Sequence, residues 1–382
     1  MSPRIAIVTS IHRDYDPRIW KHAVSLADSG CQVELVCPWV ERKEQTIPNL
    51  RLHAFDRVTK RGLRPILVPV RVLKALSGVL SKVDVVHFHD LDLLPWMAGI
   101  SFRKPVVYDI HENYPDEMLV RHWIPKLLRR PLYHAVKFGQ GIFARIIHNV
   151  VIVVPSQLED LPARRLRIVE IPNYVSVDIL ERSSLPYRSR PKAVVFTGGH
   201  YRENGSFLIV EIAAELRARG YSIPFLLTDR AEAPIREALD RAISERGLTE
   251  QVRFLSSVPS DRINDILNLG AIGLAPNLRV PKQVKAIPTK IFEYMAAGMP
   301  VVASDLPYMR RFVGETGAGV LADPETTNAF VDAIVSVIEN DDLASIMGEN
   351  GRRAIREAFN WEAQIPKLLD FYGEILVGRL AC

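Results

Sequence analysis

Short runs rich in valine and isoleucine alternate with amphipathic stretches through this chain, and near residue 190 the whole pattern begins again. RIAIVTS, QVELVCP, RLHAF, VDVVHFH, PVVYDIH and VVIVVPS are brief and bounded by turn residues, which is the signature of strands. Between the first two, PRIWKHAVSLADSG carries apolar residues at helical spacing and ends on a glycine. Strands that alternate with helices form a parallel sheet covered on both faces. After IPNYVSVDILERSSLPYRSRPK, a connection rich in proline and arginine, come AVVFTGG, PFLLTD, VRFLSS, AIGLAPN, PVVAS and GVLAD. This second set opens with its own strand and glycine turn, as an independently wound domain does. The expected architecture is α/β: two Rossmann-like, doubly wound domains facing a central cleft, with ligands at the carboxyl ends of both sheets.

A chain of 382 residues has room for two such cores. The opening MSPRIAIVTS enters a strand-like run without a charged leader, so it is not read as a signal peptide. The apolar stretch IFARIIHNVVIVV is broken by Arg145, His148 and Asn149 and falls short of the ~20 residues a bilayer requires. Cys31, Cys37 and Cys382 have no metal-ligand spacing and read as free thiols of a cytoplasmic protein. Charge is distributed unevenly. Residues 1–170 hold 25 Lys and Arg against 17 Asp and Glu, whereas the remainder holds 24 against 27. The basic half therefore expects an anionic partner.

One segment carries most of the chemistry. In PTKIFEYMAAGMPVVASDLP, Pro288 suits the first position of a helix, Gly298 its carboxyl-terminal cap, and Ile291, Phe292, Met295 and Ala296 one buried face. Lys290 and Glu293 stand three residues apart beside that face. A helix start with a lysine attracts phosphate. A carboxylate one turn further in can accept two ribose hydroxyls, each such bond contributing roughly 1.5–3 kcal/mol. The pair fits a nucleoside diphosphate. The competing reading is a surface ion pair worth under ~1 kcal/mol.

This segment resembles the donor site of family-4 glycosyltransferases, retaining enzymes of the two-domain GT-B architecture with an FEYMAAG-type helix. The likeness runs the length of the chain. DYDPRIWKHAVSLADSGCQVELV is similar to that family's first strand–helix–strand, HFHDLDLLP and VVYDIHENYP to its acceptor-side loops, and IPNYV to its linker. VVFTGGHYRENG is similar to its second glycine turn and FNWEAQIPKLLDFYGEIL to its closing helix. The resemblance implies an acceptor-side domain over residues 1–170, a linker over 171–190, a nucleotide-sugar domain over 191–355, and a helix over 356–382 that returns to the first domain. It also implies that Glu293 holds the donor ribose, that Lys290 holds the pyrophosphate, and that His111 lies beside the reacting sugar. Gly198, Gly199, Arg202, Val258, Lys285 and Thr289 complete the donor side, and Asp16, Arg18, His89 and Glu112 stand on the acceptor side. Asp16 and Arg18 also suit capping and positioning of the first helix, and His111 suits a core position.

The chain departs from the family pattern at three places, one being LLTDR, which lacks the glycine-containing turn that usually follows that strand. The family's earlier donor-site glutamate is absent, and eight positions before Glu293 stands Lys285; Ile266 to Phe292 holds no acid at all. Asn204 occupies the place of the usual glycine-loop lysine, with Arg202 as the substitute cation. Asp90-Leu91-Asp92 has the spacing of a carboxylate metal motif, but a strand-ending loop in which Asp92 caps the next helix is the simpler reading. His87 and His89 lack a third ligand in sequence and read as loop and core histidines. GGHYRENG lacks the G-x-G-x-x-G spacing of a dehydrogenase. The expected activity is retaining sugar transfer from a nucleoside diphosphate sugar to a hydroxyl, in surface polysaccharide or glycolipid synthesis, without cofactor or metal. A sugar-nucleotide epimerase and a non-catalytic nucleotide-sugar-binding protein remain as alternatives. Expected partners are the nucleotide sugar and a saccharide or lipid-linked acceptor, not nucleic acid. The acid-free basic segments after Asp56 and after Glu117, interleaved with apolar residues, add an anionic membrane face.

Overall fold

The computed structural model describes residues 3–12, 16–39, 47–58, 64–121, 124–178, 184–259 and 262–380. Cys382, and Asp14 and Tyr15 of the DYDPRIW stretch, lie outside the described residues. The chain divides into two compact units, Met1–Asn173 with Gln364–Cys382, and Tyr174–Ala363.

The first unit is built on seven parallel strands: β1 (Arg4–Val8), β2 (Gln32–Pro38), β3 (Leu50–Phe55), β4 (Val85–Phe88), β5 (Val106–Ile110), β6 (Asn149–Ile152) and β7 (Arg167–Glu170), in the order 3-2-1-4-5-6-7. The second holds β8 (Val194–Phe196), β9 (Phe225–Thr228), β10 (Val252–Leu255), β11 (Ile272–Ala275), β12 (Val301–Ser304) and β13 (Gly319–Ala322), in the order 10-9-8-11-12-13. The second sheet and the first six strands of the first share one winding, that of doubly wound nucleotide-binding sheets. Strand order reverses between β1 and β4 and between β8 and β11, and ligands of such sheets bind beyond the strand ends at those points. The central strands are buried on both faces, which is why they read as unbroken apolar runs.

All six expected strands of each unit are present. A seventh, β7, reads RIVE and is at most half-buried, so its sequence lacks the apolar run that marked the others. The closing helix Ile365–Leu380 belongs to the first unit, and its buried Tyr372 shares a 2.7 Å hydrogen bond with His87 Nδ1. The preceding turn stays with the second unit. There Trp361 N–H donates to the Val175 carbonyl at 2.8 Å, and Glu362 accepts from the Val177 N–H at 3.0 Å.

Candidate functional site

The second unit gathers the donor-side residues where β8 ends. The helix that carries them, Lys290–Ala296, is only seven residues long. It starts two residues after Pro288, not on it. The first turn is tightened, with Ile291 N–H bonded to the Pro288 carbonyl and Phe292 N–H to that of Thr289. Such i→i+3 bonds draw the helix start inward. Thr289 is exposed and caps nothing with its side chain. The buried surface is wider than one face: every residue from Lys290 to Ala296 is buried except Glu293. Gly298 ends the helix at φ +70°, with Met299 N–H returning to the Tyr294 carbonyl at 2.9 Å.

Lys290 is the unusual member. Its residue is 8% exposed, and its ammonium lies 3.6 Å above the centre of the Phe196 ring without a hydrogen-bond partner. Burial pushes the amine down to about 7, with Glu293 alone pulling it upward. The ammonium sits against the backbone of Gly198, where a Cβ would stand 3.5 Å from Nζ and 3.3 Å from Cε. Gly198 adopts φ +114°, which only glycine takes without strain. Glu293 accepts from Thr197 Oγ1 at 3.3 Å, and the Thr197 N–H donates to the Tyr294 hydroxyl at 2.8 Å. The two ends of the 290–293 pair thus flank the same turn after β8.

Asn204 has a structural task of its own. Its amide donates to the Gly199 carbonyl and accepts from Gln283, which in turn accepts from Asn277. Three amides in series brace the glycine turn against the short helix Pro281–Val284. Arg202 is exposed and lies 4.6 Å above the Phe207 ring, and Lys285 caps the Pro281–Val284 helix, half-buried. Val258 is half-buried against the core.

The first unit assembles a polar cluster by strand alternation. His87 and His89 on β4 and just beyond it, and Asp109 and His111 on β5 and just beyond it, are spaced by two and therefore share a sheet face. The helix Pro17–Asp28 covers that face with Arg18 and His22, one turn apart. Asp109 is fully buried and accepts from Arg18 Nη2 at 2.8 and 2.9 Å. Burial drives this carboxyl upward, but Arg18 beside it holds it well below the usual range. Arg18 is thus an internal counter-ion to Asp109. His89 is wholly buried 3.3 Å from the same carboxylate, and burial pushes its imidazole down to about 4. The reading of His87 and His89 as histidines without further ligands changes: His22 and Asp109 stand with them in one group.

A second group faces outward. His12 Nδ1 pairs with Asp16 at 2.8 Å, and His12 Nε2 lies 3.1 Å from His111 Nε2 and 3.4 Å from Asp90 Oδ1. Burial would lower the His12 imidazole, yet Asp16 and Asp90 together push it up to about 10. Burial lowers His111. Asp16 also caps the first helix, accepting from the Arg18 and Ile19 N–H groups. Asp92 does not cap the following helix. It sits within the turn Leu91–Leu93 and accepts from Ser10 Oγ at 2.6 Å. Glu112 is exposed at the cluster's rim. Sequence reasoning missed His12, His22, Thr197 and Tyr294. The His12–Asp16 spacing of four and the paired alternation of residues 87/89 and 109/111 were the available signals.

Residues 18–179 match the glycosyltransferase family 4 model, and residues 179–354 match that of the glycosyl transferases group 1. The phosphatidyl-myo-inositol mannosyltransferase of Mycobacterium leprae (strain TN) is 30% identical over 97% of this chain and 96% of its own. Among solved structures, sucrose-phosphate synthase from Thermosynechococcus elongatus superposes with a TM-score of 0.77 at 16% identity, covering 99% of this chain and 100% of that one. HepE of Anabaena in complex with UDP gives 0.70 at 15% identity over 97% and 100%.

Proposed function

Because this chain belongs to the family-4, group-1 glycosyltransferases and has their GT-B fold, we propose that it transfers a hexose from a nucleoside diphosphate sugar to an acceptor hydroxyl, with retention at the anomeric carbon. The observation that carries this is the Lys290 ammonium: buried, unpartnered, and pressed against a glycine turn at the end of β8. A buried charge without a hydrogen-bonded partner costs several kcal/mol and is retained where an anion completes it. A diphosphate supplies that anion. With a helix of only seven residues, the axial dipole is small, so Lys290 provides most of the charge that meets the leaving diphosphate. Glu293, the one residue of the helix that is not buried, is the ribose acceptor. Arg202 is the second cation and His111 the residue beside the reacting sugar. Metal is not required at this diphosphate site. A panel of nucleoside diphosphates and their sugars, read by thermal stabilisation, tests the assignment. Stabilisation by none of them rejects it, and saturable UDP or GDP binding with no transfer to any acceptor favours the binding-protein alternative. Lys285, in the place of the family's carboxylate, supports an anionic donor sugar such as a uronic acid; preference for the neutral hexose rejects that refinement.

The helix Lys126–Ile147 supports a lipid-linked acceptor. Leu127 (91% exposed), Pro131, Ala135, Phe138 (72% exposed) and Ile142 form an exposed stripe flanked by Lys126, Arg130, His134 and Arg145. Apolar area edged with basic residues lies on an anionic leaflet, each cation contributing about 1 kcal/mol. No helix among the described residues is long and apolar enough to cross a membrane. Arg129 is occupied with the Ile124 and Leu119 carbonyls, so the informative variants are Leu127→Ser, Phe138→Ser and Arg130→Glu. Flotation with phosphatidylglycerol vesicles should appear at low salt, fade with salt and fall in these variants; no flotation at low salt ends this reading and leaves the transferase assignment standing.

A further inference from the structure

We infer that His12, His111 and Asp90 form a binding site for one divalent first-row transition-metal ion in the first unit. Their donor atoms converge. His12 Nε2 and His111 Nε2 are 3.1 Å apart, Asp90 Oδ1 is 3.4 Å from His12 Nε2, and all three lie within 4.8 Å of one another. Ligands bonded to zinc at about 2.0–2.1 Å in a tetrahedron stand roughly 3.3 Å from each other. Two of the three separations therefore already match what an ion needs, and the third lies within 4.8 Å.

Two of the three donors are oriented from behind. Asp16 holds His12 through Nδ1, which directs Nε2 inward, the carboxylate–histidine arrangement that orients metal ligands. Asp90 gives its other oxygen, Oδ2, to Thr9 Oγ1 at 2.7 Å and to the Ser10 N–H at 2.6 Å. Its Oδ1, on a residue 2% exposed, faces the two histidines and is paired with His12 Nε2 at 3.4 Å. An ion bound there displaces the proton on His12 Nε2, which leaves to solvent, and takes its place beside Oδ1.

The neighbouring group of His22, His87, His89 and Asp109 also brings four donors together. There, however, Arg18 already occupies both oxygens of Asp109, and its full charge repels a second cation. All four residues are fully buried, whereas His12 and His111 are partly exposed. The geometry thus favours the outer group. Two imidazoles and one carboxylate suit zinc, cobalt, nickel or iron(II) over magnesium or calcium, which take oxygen ligands. Three protein ligands leave at least one position open for an oxygen donor such as an acceptor hydroxyl or phosphate. His111 is also the residue proposed beside the reacting sugar, but neither His12 nor Asp90 belongs to the diphosphate site at Lys290 and Glu293, so cobalt binding and UDP binding test the two assignments separately.

The test uses untagged full-length protein treated with chelator and then titrated with CoCl2. One equivalent should bind, with the visible bands of four- or five-coordinate cobalt. His12→Ala and His111→Ala should each weaken binding by ~100-fold or more, and Asp16→Asn by ~10–100-fold. His22→Gln should leave it unchanged. Hydrogen exchange in β1 and β4, measured alongside, reports that the first unit of the His12, His111 and Asp16 variants is folded. Absence of stoichiometric cobalt binding overturns the site. So does binding that survives in both His12→Ala and His111→Ala, or that is lost in His22→Gln while persisting in His12→Ala. Failure of UDP to bind the wild-type protein rejects the donor site alone.

Discussion

Replacing Lys290 by methionine should make the unliganded protein more stable and at the same time weaken its nucleotide binding. Methionine keeps the length of the stem over Phe196 and removes the charge. In the folded chain the amine is pushed down from 10.5 to about 7 by burial. That difference corresponds to an upper bound of about 5 kcal/mol lost by folding with the amine charged. The unfolded chain holds the proton up to its higher pKa, while the folded chain sheds it near 7. Below pH 7 both states are protonated and the whole cost is present. Between about 7 and 10.5 the unfolded state binds more protons, so wild-type stability rises with pH, and above that window the cost has gone. Denaturant melts should find Lys290→Met more stable than wild type by ~2–4 kcal/mol at pH 6, with the difference closing by pH 10. UDP should stabilise the wild type and not the variant. Wild-type affinity should weaken by up to ~10-fold per pH unit above 7, because the diphosphate binds the protonated amine. A stability difference that is absent at pH 6, or that does not change with pH, refutes the buried-charge argument. Equal stabilisation of both proteins by UDP refutes the diphosphate role.

Glu293→Gln should lose the charge-assisted ribose contacts and weaken UDP binding by ~10–100-fold in isothermal titration, with transfer falling in parallel; unchanged affinity removes Glu293 from the ribose. His111→Ala should keep UDP affinity within about twofold while turnover drops by ~10²-fold, and lost nucleotide affinity would instead mark a structural residue. Gly198→Ala should place a Cβ 3.3 Å from Lys290 Cε at a backbone angle of +114°. It should therefore cost about 1–3 kcal/mol of stability and lower UDP affinity together; a neutral result would show that the turn relaxes freely. Tyr372→Phe removes the hydroxyl bonded to His87 and should destabilise the first unit by about 1 kcal/mol, checked by hydrogen exchange in β4.

Strand existence and order of appearance were legible because a parallel sheet buries both faces of its central strands, and that requirement is written locally as runs such as RIAIV and VVAS. The edge strand β7 escaped because its residues are only half covered and need not be apolar. Within the Lys290–Ala296 helix, spacing alone placed Lys290 beside Glu293 and Gly298 at the end. What spacing does not contain is the environment of each group. That Lys290 is buried over Phe196, that Gln283 ties down Asn204 of the glycine turn, and that Arg18 neutralises Asp109 depend on segments dozens of residues apart in the chain. The same holds for His12, which meets His111 99 residues away only because β1 and β5 both flank β4. Sequence fixes periodicity, caps and turn chemistry, since these are interactions between near neighbours. Desolvation and charge pairing are sums over everything that packs around a group, so the tertiary structure alone decided which side chains of this protein carry an unmet charge.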